Sequence, residues 1–593
     1  MDARGQVRLR SHTFNSTRIL LEAGLAGLAF LEGKMSYRVF PLLTLGLAAA
    51  VLSSQAPAHR SNGAAQAGAT TSESTPGPAK AADALQAAVK QGQMALRNYL
   101  LGFPKGADLH VHLSGAVYAE TLIRDAAEDG ACVDKVTLAV VKPPCSGDLI
   151  PAKELSGNID RQHQLLYDKL VDALSIRSFV PSASWSTHDQ FFSVFDRMDG
   201  LGDHTAEWVD EVASRAAGQN NQYLELMVTP EVTSAAQTAE QMARGANLGQ
   251  GTAQVFAQFR QELLDNGLSS EVQTDRDQVT KAEAERMKTE QCGTAQAAPA
   301  CQVEVRFIFQ VLRDLPPEQV FAQLLLGFET VHASLAAKDD TWVGINMVRP
   351  EDDFVAMRDY TLHMKMVGYL HSVYPDVPIS LHAGELAYGL VPPEGLTFHI
   401  RQAVEIAGAE RIGHGADVLY ETNPNQLLKE LAQKHVMVEI NLSSNEAILG
   451  ISGKEIPFQT YLTAKVPMAL STDDEGVSRI DLTHEFVLAV VDYNLTYFNL
   501  VKLARTGMEH SFLPGASLWP YADYYEAPVK QCEQDTLGGA SPSAACKAFL
   551  DSSEKASAEW ELERRLAAFQ EKYAAKTKAS GANANGSALP TSE

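Results

Sequence analysis

Residues 105–113 read KGADLHVHL, and the interpretation of the whole chain starts from this stretch. Apolar and polar side chains alternate along it, which predicts a β-strand with His110 and His112 on the same face. Two imidazoles in this arrangement could bind one metal ion, although barrel-lining histidines are also commonly held by hydrogen bonds alone. The stretch therefore predicts a first strand that carries a candidate metal-binding pair.

Seven further strand-like runs follow, and helical patterns separate most of them. These runs are residues 223–228, 303–311, 342–348, 378–381, 411–414, 436–442 and 466–470. Strands that alternate with helices are typical of an α/β fold with a parallel sheet. A total of eight favours a closed (β/α)8 TIM-type barrel over an open doubly wound sheet, and such barrels place their sites at the C-terminal ends of the strands.

Three of the later runs end in residues that suit metal or proton chemistry. One is followed by His382 and Glu385 in the sequence HAGE, one ends in His414 between two glycines, and the last precedes Asp473 and Asp474 in STDD. Each motif alone could be a turn or a helix cap. All of them lie at one mouth of the inferred barrel, however, and three His with one carboxylate leave room for a water, as in a hydrolytic zinc site.

Composition limits the class of protein and of partner. The chain has 593 residues, 45% hydrophobic and 21% charged, with a formal net charge of −24. This apolar content can bury a large core, which excludes wholesale disorder. The acidic balance argues against a nucleic-acid partner, because phosphate backbones are bound by clustered Lys and Arg. A small neutral ligand is compatible with it.

The N-terminal region has the layout of an export signal. Arg38 supplies a positive flank, residues 39–52 form an apolar run that is short for a membrane span, and residues 56–58 (APA) offer a cleavage site. A buried helix or an uncleaved anchor is the alternative. Residues 35–58 are therefore predicted to be the cleavable signal peptide of a periplasmic or secreted protein without a stable membrane anchor. Residues 1–34 form a doubtful extension, either a long n-region or an upstream start chosen in error.

Composition and turn residues divide the remaining chain into a barrel, two insertions and polar ends. The predicted divisions are a flexible linker (59–80), the metal-dependent barrel (81–515), its insertions (about 132–165 and 232–302), a C-terminal extension (516–575) and a disordered tail (576–593). The insertions are candidate surfaces for a homodimer. Small polar residues dominate the linker and the tail, which cannot build a core.

The six cysteines fall into three local pairs, which supports export. Nearest-neighbour pairing gives the disulfides Cys132–Cys145, Cys292–Cys301 and Cys532–Cys546. A metal site is disfavoured here because there is no CxxC motif and no cysteine lies beside a histidine. Reduced thiols would be the alternative if the export signal were illusory.

Five motifs, in this order along the chain, resemble the adenosine deaminases of the amidohydrolase superfamily: KGADLHVHLSGAV, LHAGE, RIGHG, LSSNEAI and STDDEGV. The resemblance covers roughly residues 104–515. The export signal, the cysteines and the ending LTHEF…GMEHSFLPG are similar to the secreted, growth-factor-like branch. The resemblance implies a barrel with one Zn²⁺ per chain that replaces the 6-amino group of a purine nucleoside by oxygen.

The resemblance also implies a role for each site residue. Its zinc ligands are His110, His112, His382 and Asp473. Glu385 matches the acid that protonates ring N1, His414 the residue that orients the attacking water, and Asp474 the carboxylate that contacts N7 and this water.

Two substitutions depart from the family pattern in the substrate-binding region. Ser114 stands where many members have an Asp that contacts the ribose 5′-hydroxyl, and Arg349 falls where a Gly usually offers its backbone N–H to the purine. Phe191 and Phe195 on the FFSVF helix could line the base site, although aromatic residues at helical spacing are often core.

The leading hypothesis is zinc-dependent deamination of adenosine or 2′-deoxyadenosine. Ser114 and Arg349 keep open a related enzyme that takes another aminopurine, either adenine or a 5′-modified adenosine. A binding or signalling protein that kept the barrel and lost catalysis is the alternative from another class. It is disfavoured because every metal and proton-transfer position is filled.

Overall fold

Eight parallel strands form the centre of the computed structural model of the protein. In chain order, β1 to β8 are Gly106–His112, Asn221–Val228, Glu304–Leu312, Trp342–Val348, Ser380–Ala383, Arg411–His414, Met437–Ile440 and Met468–Leu470. Strands β1 to β4 pair in sequence order in one sheet, and β5 to β8 pair in sequence order in another. These strands match the eight predicted runs to within a few residues at each end.

Isolated parallel bridges join the two sheets at both of their edges. Val111 of β1 pairs with Asp473, which lies just beyond β8, and Ile345 of β4 pairs with Ile379, which lies just before β5. At the first seam the backbone amide of Asp473 donates to the carbonyl of His110 at 2.9 Å. The predicted α/β class and (β/α)8 barrel are therefore confirmed.

The structure describes residues 76–584, except residues 158, 231–234, 236, 240–247 and 340, and only the backbone of residues 76 and 576–584. The chain divides between Ser72 and Glu73, and all described residues belong to the second part. The predicted N-terminal extension and signal peptide lie outside the described residues.

Helices connect and surround the strands. The α-helices are Pro76–Gln91, Gln93–Leu101, Leu113–Ala116, Ala119–Glu128, Arg161–Ala173, Thr187–Asp196, Thr205–Gly218, Ala253–Asp265, Ser269–Thr289, Pro317–Ala337, Phe354–Val373, His399–Gln402, Pro424–Lys434, Leu442–Leu449, Phe458–Ala464, Glu475–Ser478, Leu482–Tyr493, Tyr497–Glu509, Ala544–Leu550 and Glu554–Ala584. Polar caps begin several of them: Ser186 forms a capping box with Asp189, and the Asp481 carboxylate accepts the His484 amide.

Both polar ends of the predicted domain map are shorter than expected. The first helix begins at Pro76, so the last five residues of the predicted linker are helical. Proline is favoured in the first turn of a helix, where its missing N–H costs nothing. The last helix continues to Ala584, into the predicted tail, because Ala- and Lys-rich sequence carries high helix propensity. The remainder of both segments lies outside the described residues.

The insertions add structure beside the barrel. The first contains a small antiparallel sheet of Cys132–Asp134, Val140–Val141 and Leu149–Pro151. The described part of the second contains the helices Ala253–Asp265 and Ser269–Thr289. All three predicted disulfides are present, and each closes a local loop of 9 to 14 residues.

Helix Pro317–Ala337 is, among the described residues, the helix long and apolar enough to cross a membrane by length and composition. Its most apolar window is 67% buried inside the protein, and the helix packs against β3 and β4. Burial of this kind is typical of a core helix in a barrel.

Candidate metal centre and active site

The four predicted metal ligands meet at the C-terminal end of the barrel. His382 Nε2 lies 3.0 Å from His110 Nε2 and 3.2 Å from His112 Nε2. Asp473 Oδ1 lies 3.1 Å from His112 Nε2 and 3.5 Å from His110 Nε2. The ligand atoms of all four residues lie within 4.8 Å of one another. The predicted set is therefore brought together from β1, β5 and the seam beyond β8.

A second set of side chains, which sequence reasoning missed, orients the three imidazoles. The Nδ1 contacts are His110 to Glu439 at 2.6 Å, His112 to Gln310 at 2.9 Å and His382 to Asn346 at 2.9 Å. The Asn346 atom is an oxygen acceptor, because it also receives the backbone amide of His382. Nδ1 of His382 therefore carries the proton, and its Nε2 lone pair points into the cluster.

Both the negative charge of the carboxylates and the nitrogen lone pairs of the imidazoles favour a cation in this cluster. Asp473 and Glu439 are both buried carboxylates in contact with His110. Burial lowers the pKa of His110, but these two carboxylates outweigh it and raise the pKa to about 10. Burial and the neighbouring His110 hold the pKa of His382 well below its usual range, so that its imidazole is neutral. A divalent ion among the four ligands fits both facts.

A buried ionic chain continues behind the cluster. Glu439 also lies 2.7 Å from Nε of Arg411, and the Nη1 of Arg411 lies 2.6 Å from Glu225. All three side chains are at most 1% exposed. Because Arg411 is shared between two carboxylates, Glu439 keeps its charge and remains an acceptor for His110.

Two backbone features allow this close packing. A Cβ on Gly413 would lie 2.6 Å from Cε1 of His110, so only glycine lets β6 approach β1 at this level. His414 and Asp473 both have positive φ, at 67° and 61°. Such backbone is costly for residues other than glycine and is often found at functional sites. With this backbone conformation the side chains of His414 and Asp473 lie next to each other, with Nε2 of His414 3.5 Å from Oδ2 of Asp473.

Glu385 and His414 lie next to each other beside the ligands. His414 Nε2 is 3.4 Å from Glu385 Oε1 and 3.5 Å from Asp473 Oδ2. Burial, reinforced by Asp473 and Glu351, raises the pKa of Glu385 well above its usual range and so favours the protonated carboxyl. Burial lowers the pKa of His414 to about 4, which leaves its imidazole neutral. The pair thus offers one proton donor and one neutral imidazole.

Glu351 fixes the turn that carries Glu385, and it is another residue that sequence reasoning missed. Its carboxylate accepts the backbone amides of Gly384 at 3.1 Å and Glu385 at 2.8 Å and pairs with His399 Nδ1. Burial opposes its ionisation, but His399 outweighs this and brings the pKa to about 2. The charged Glu351 therefore holds the HAGE turn in place.

The cluster opens into a cavity of about 270 Å³. All five predicted substrate-binding residues line it: Ser114, Phe191, Phe195, Arg349 and Asp474. Phe192, Met198 and Leu312 add to an apolar wall, whereas His112, Glu385 and Asp473 bring the cluster to the other side. Such a cavity suits a ligand with an apolar face and a few polar edge groups.

Asp474 lines this cavity, and one of its carboxyl oxygens is buried without a partner in the described part of the chain. Its Oδ1 has no hydrogen-bond partner among the described residues, and Gly115 packs so closely that a Cβ there would lie 1.6 Å from it. Burial raises the pKa of Asp474 to about 7. Its carboxyl can therefore donate or accept a hydrogen bond near neutral pH.

Arg349 occupies the cavity rim in a conformation typical of glycine. Its φ is 84°, and its Nε lies 3.5 Å from Oδ2 of Asp314. Its carbonyl accepts a hydrogen bond from Arg313 at 3.0 Å. The guanidinium is thus drawn toward Asp314, while the residue keeps the backbone shape expected where the family pattern has Gly.

Three of the missed residues share one property that sequence alone could have suggested. Glu439, Gln310 and Asn346 are polar residues with an apolar residue on each side, within strands β7, β3 and β4. A polar side chain inside a buried strand needs a partner, and barrel strands face each other across the interior. Which histidine each one supports depends on the closed barrel.

Comparison with known proteins identifies the family. The sequence pattern of the family "Adenosine deaminase" matches residues 175–517, more than half of the chain. The adenosine deaminase of Clostridium perfringens (strain ATCC 13124) is 33% identical over 135 residues, which cover 23% of this chain and 37% of that protein. That of Shewanella denitrificans is 31% identical over 136 residues, covering 23% and 38%. The chain thus matches well under half the length of these relatives.

The solved structures that match most of the chain have low sequence identity to it. The N6-mAMP deaminase of Arabidopsis is 20% identical with a TM-score of 0.45, covering 70% of this chain and 96% of that one. The adenine deaminase of Arthrobacter aurescens is 17% identical with a TM-score of 0.40, covering 69% and 94%. Family membership rests instead on the matched pattern, which spans the second, third, fourth and fifth motifs and both later metal ligands. The chain belongs to the adenosine deaminase family.

Proposed function

We propose that the protein is a zinc-dependent aminohydrolase that converts adenosine or 2′-deoxyadenosine, with one water, to inosine or 2′-deoxyinosine and ammonia. The observation that carries the proposal is the convergence of three imidazoles and Asp473 beside Glu385 and His414, at the floor of a cavity with an apolar wall. Water supplies the new oxygen at C6, and the amino group leaves with the hydrogens that make ammonia.

His110, His112, His382 and Asp473 would hold one Zn²⁺, because a His-rich set with one carboxylate suits this ion. When bound, the ion would lower the pKa of water and so make a nucleophile available near neutral pH. The protein itself supplies the geometry, since Glu439, Gln310 and Asn346 fix the imidazoles before any ligand binds.

Glu385 and Asp474 would form hydrogen bonds with the purine ring. The protonated Glu385 carboxyl can donate to ring N1, which draws electrons from C6 and prepares it for attack. Asp474, with a pKa of about 7, can donate to the N7 acceptor. The neutral His414 lies 3.4 Å from Glu385 and can accept a proton from the attacking water. Each role uses the protonation state that the surroundings favour.

The charges of the cavity support a nucleoside rather than a nucleotide. Among the described residues, Glu385, Asp473 and Asp474 line it together with one guanidinium, that of Arg349, which is drawn to Asp314. A phosphate would bring two further negative charges near these carboxylates, and the described lining offers it no cation other than Arg349.

A second candidate function is deamination of adenine or of an adenosine with an apolar 5′-substituent. Ser114, which lines the cavity, supplies a hydroxyl where an acidic partner for a 5′-hydroxyl is usual, and Phe192, Phe195 and Met198 supply apolar surface. A carboxylate would favour a 5′-hydroxyl more strongly than serine does.

The test is ammonia release by the zinc-loaded full chain from adenosine, 2′-deoxyadenosine, adenine, 5′-methylthioadenosine and AMP. We expect the highest kcat/KM for adenosine or 2′-deoxyadenosine and the lowest for AMP. A preference for adenine or 5′-methylthioadenosine would select the second candidate. Ammonia from none of these substrates, at full metal content, would contradict catalysis itself. His382→Ala is the inactive control.

We also propose that the protein is exported, with cleavage after Ala58. Three disulfides support this, because such bonds persist in oxidising compartments. The mass of the protein recovered from the periplasm or medium tests it. A mass that includes residues 1–58, or six free thiols on the unfolded, unreduced protein, would contradict export.

A further inference from the structure

A second cluster of imidazoles and carboxylates lies at the opposite, N-terminal end of the barrel. His435 follows helix Pro424–Lys434, Glu509 and His510 lie at the end of helix Tyr497–Glu509, and Asp523 belongs to the C-terminal extension. The proposed deamination uses none of these four residues. Three distant parts of the chain therefore bring potential metal ligands to one place.

The distances among Glu509, His510 and Asp523 are compatible with ligands of one ion, and His435 contacts the Asp523 carboxylate. Asp523 Oδ2 lies 2.7 Å from His435 Nδ1, and Asp523 Oδ1 lies 2.9 Å from His510 Nε2. Ligand atoms of Glu509, His510 and Asp523 lie within 4.8 Å of one another. Ligands at about 2 Å from a zinc ion stand roughly 3 Å apart, so small rotations suffice to admit one.

Neighbouring groups orient these ligands. The Glu509 Oε2 accepts the backbone amide of Asp523 at 3.0 Å and the hydroxyl of Tyr525 at 2.7 Å, which leads us to assign Oε1 to the ion. Arg411 Nη1 donates to the carbonyl of His510 at 3.1 Å. Such outer contacts are what hold a metal ligand in its productive orientation.

The cluster can be reached through a cavity, and the nearest ammonium groups contact atoms other than the proposed ligand atoms. A cavity of about 650 Å³ is lined by His435, Glu509 and His510. The Nζ of Lys434 lies 2.7 Å from Glu430, and that of Lys555 donates to the Glu509 carbonyl at 3.0 Å. An ion can thus arrive through the cavity and meet two carboxylates.

We propose that Glu509, His510 and Asp523 bind a second divalent cation of the zinc class, with His435 holding the Asp523 carboxylate in place. An imidazole with two carboxylates suits Zn²⁺ better than the oxygen-preferring Mg²⁺ or Ca²⁺. The ion would link the barrel to the C-terminal extension, and its role is structural rather than catalytic.

The experiment counts metal ions in the full chain after removal of metal and equilibrium dialysis against Zn²⁺. We expect two equivalents per chain for the wild type and one for Asp523→Asn, with kcat unchanged in this variant. His382→Ala should also bind one equivalent, and His382→Ala/Asp523→Asn none. One equivalent in the wild type, lost in His382→Ala, would show that the cluster is only a hydrogen-bonded clamp and would overturn the proposal.

A thermal readout separates this site from the catalytic one. In the His382→Ala background Zn²⁺ should raise Tm, and the rise should disappear when Asp523→Asn is added. Asparagine keeps the shape of the side chain, so the variant is expected to fold. An equal rise in both variants would assign the stabilising ion elsewhere and contradict the proposal. Neither result depends on which substrate the enzyme takes.

Discussion

The two ends of the barrel both gather histidines and carboxylates, but they satisfy them differently. At the C-terminal end each ligand imidazole donates its Nδ1 proton to an acceptor outside the ligand set, so that the other nitrogens face one another. At the N-terminal end His435 and His510 both bond to the ligand Asp523 itself. The first arrangement is prepared for a cation, whereas the second is already paired without one. We therefore expect much tighter metal binding at the catalytic end.

The comparison predicts that changes at the C-terminal end abolish activity and spare stability. The largest effect is expected for Glu385→Gln, which keeps the shape of the side chain but removes its acidic proton. Turnover should fall by about 10²–10⁴-fold, because a positioned general acid contributes this much. Ammonia release at full metal content measures it. A fully active Glu385→Gln would show that another group protonates the ring.

The next largest effect is expected for Glu439, the carboxylate that contacts the metal ligand His110. Glu439→Gln keeps an oxygen acceptor for His110 but removes its charge, and zinc affinity should fall by about 10–100-fold. Competition with a chelator measures the affinity. Asp523→Asn is the matched control, since it removes the charge of a carboxylate that also contacts histidines but at the other end. Equal losses of zinc affinity at the catalytic site in both variants would contradict the proposed difference between the two ends of the barrel.

Changes in the C-terminal extension are expected to affect stability and leave activity intact. Replacing Cys532 and Cys546 together by serine opens a loop with a sequence separation of 14 residues, which should cost about 3 kcal/mol on the loop-entropy account. Tm should fall while kcat at 25 °C is unchanged. The matched control is the pair Cys292 and Cys301 in the second insertion. A large loss of kcat after opening the Cys532 loop would instead tie the extension to the active site.

The smallest effect is a pH dependence in the same extension. Glu559 is buried and accepts the Leu518 amide, and burial raises its pKa to about 8. Because the folded-state pKa lies above that of the unfolded chain, its contribution is complete at low pH and is lost as the pH rises through 8. The decrease in Tm between pH 6 and pH 9 should therefore be smaller in Glu559→Gln. An identical decrease in both proteins would show that Glu559 does not titrate in this range.

The sequence predicted those parts of the site that lie at strand ends. His382, His414 and Asp473 each follow an apolar run, and parallel strands in a barrel direct such residues to one mouth. Glu439 and Glu351 could not be assigned in this way, because their partners His110 and His399 are 329 and 48 residues away. These pairs form only when the barrel closes. The helix that begins at Pro76 was not predicted, because the composition of residues 59–80 resembles that of a linker.

The seam between β1 and Asp473 gives the catalytic cluster a second consequence. His110 and His112 belong to the first four-stranded sheet, whereas His382 and Asp473 belong to the two edges of the second. An ion bound by all four residues would therefore connect the two sheets of the barrel. Loss of the ion should then let the ring open first at this seam, and faster amide hydrogen exchange at His112 and Asp473 than at Ile345 would report it.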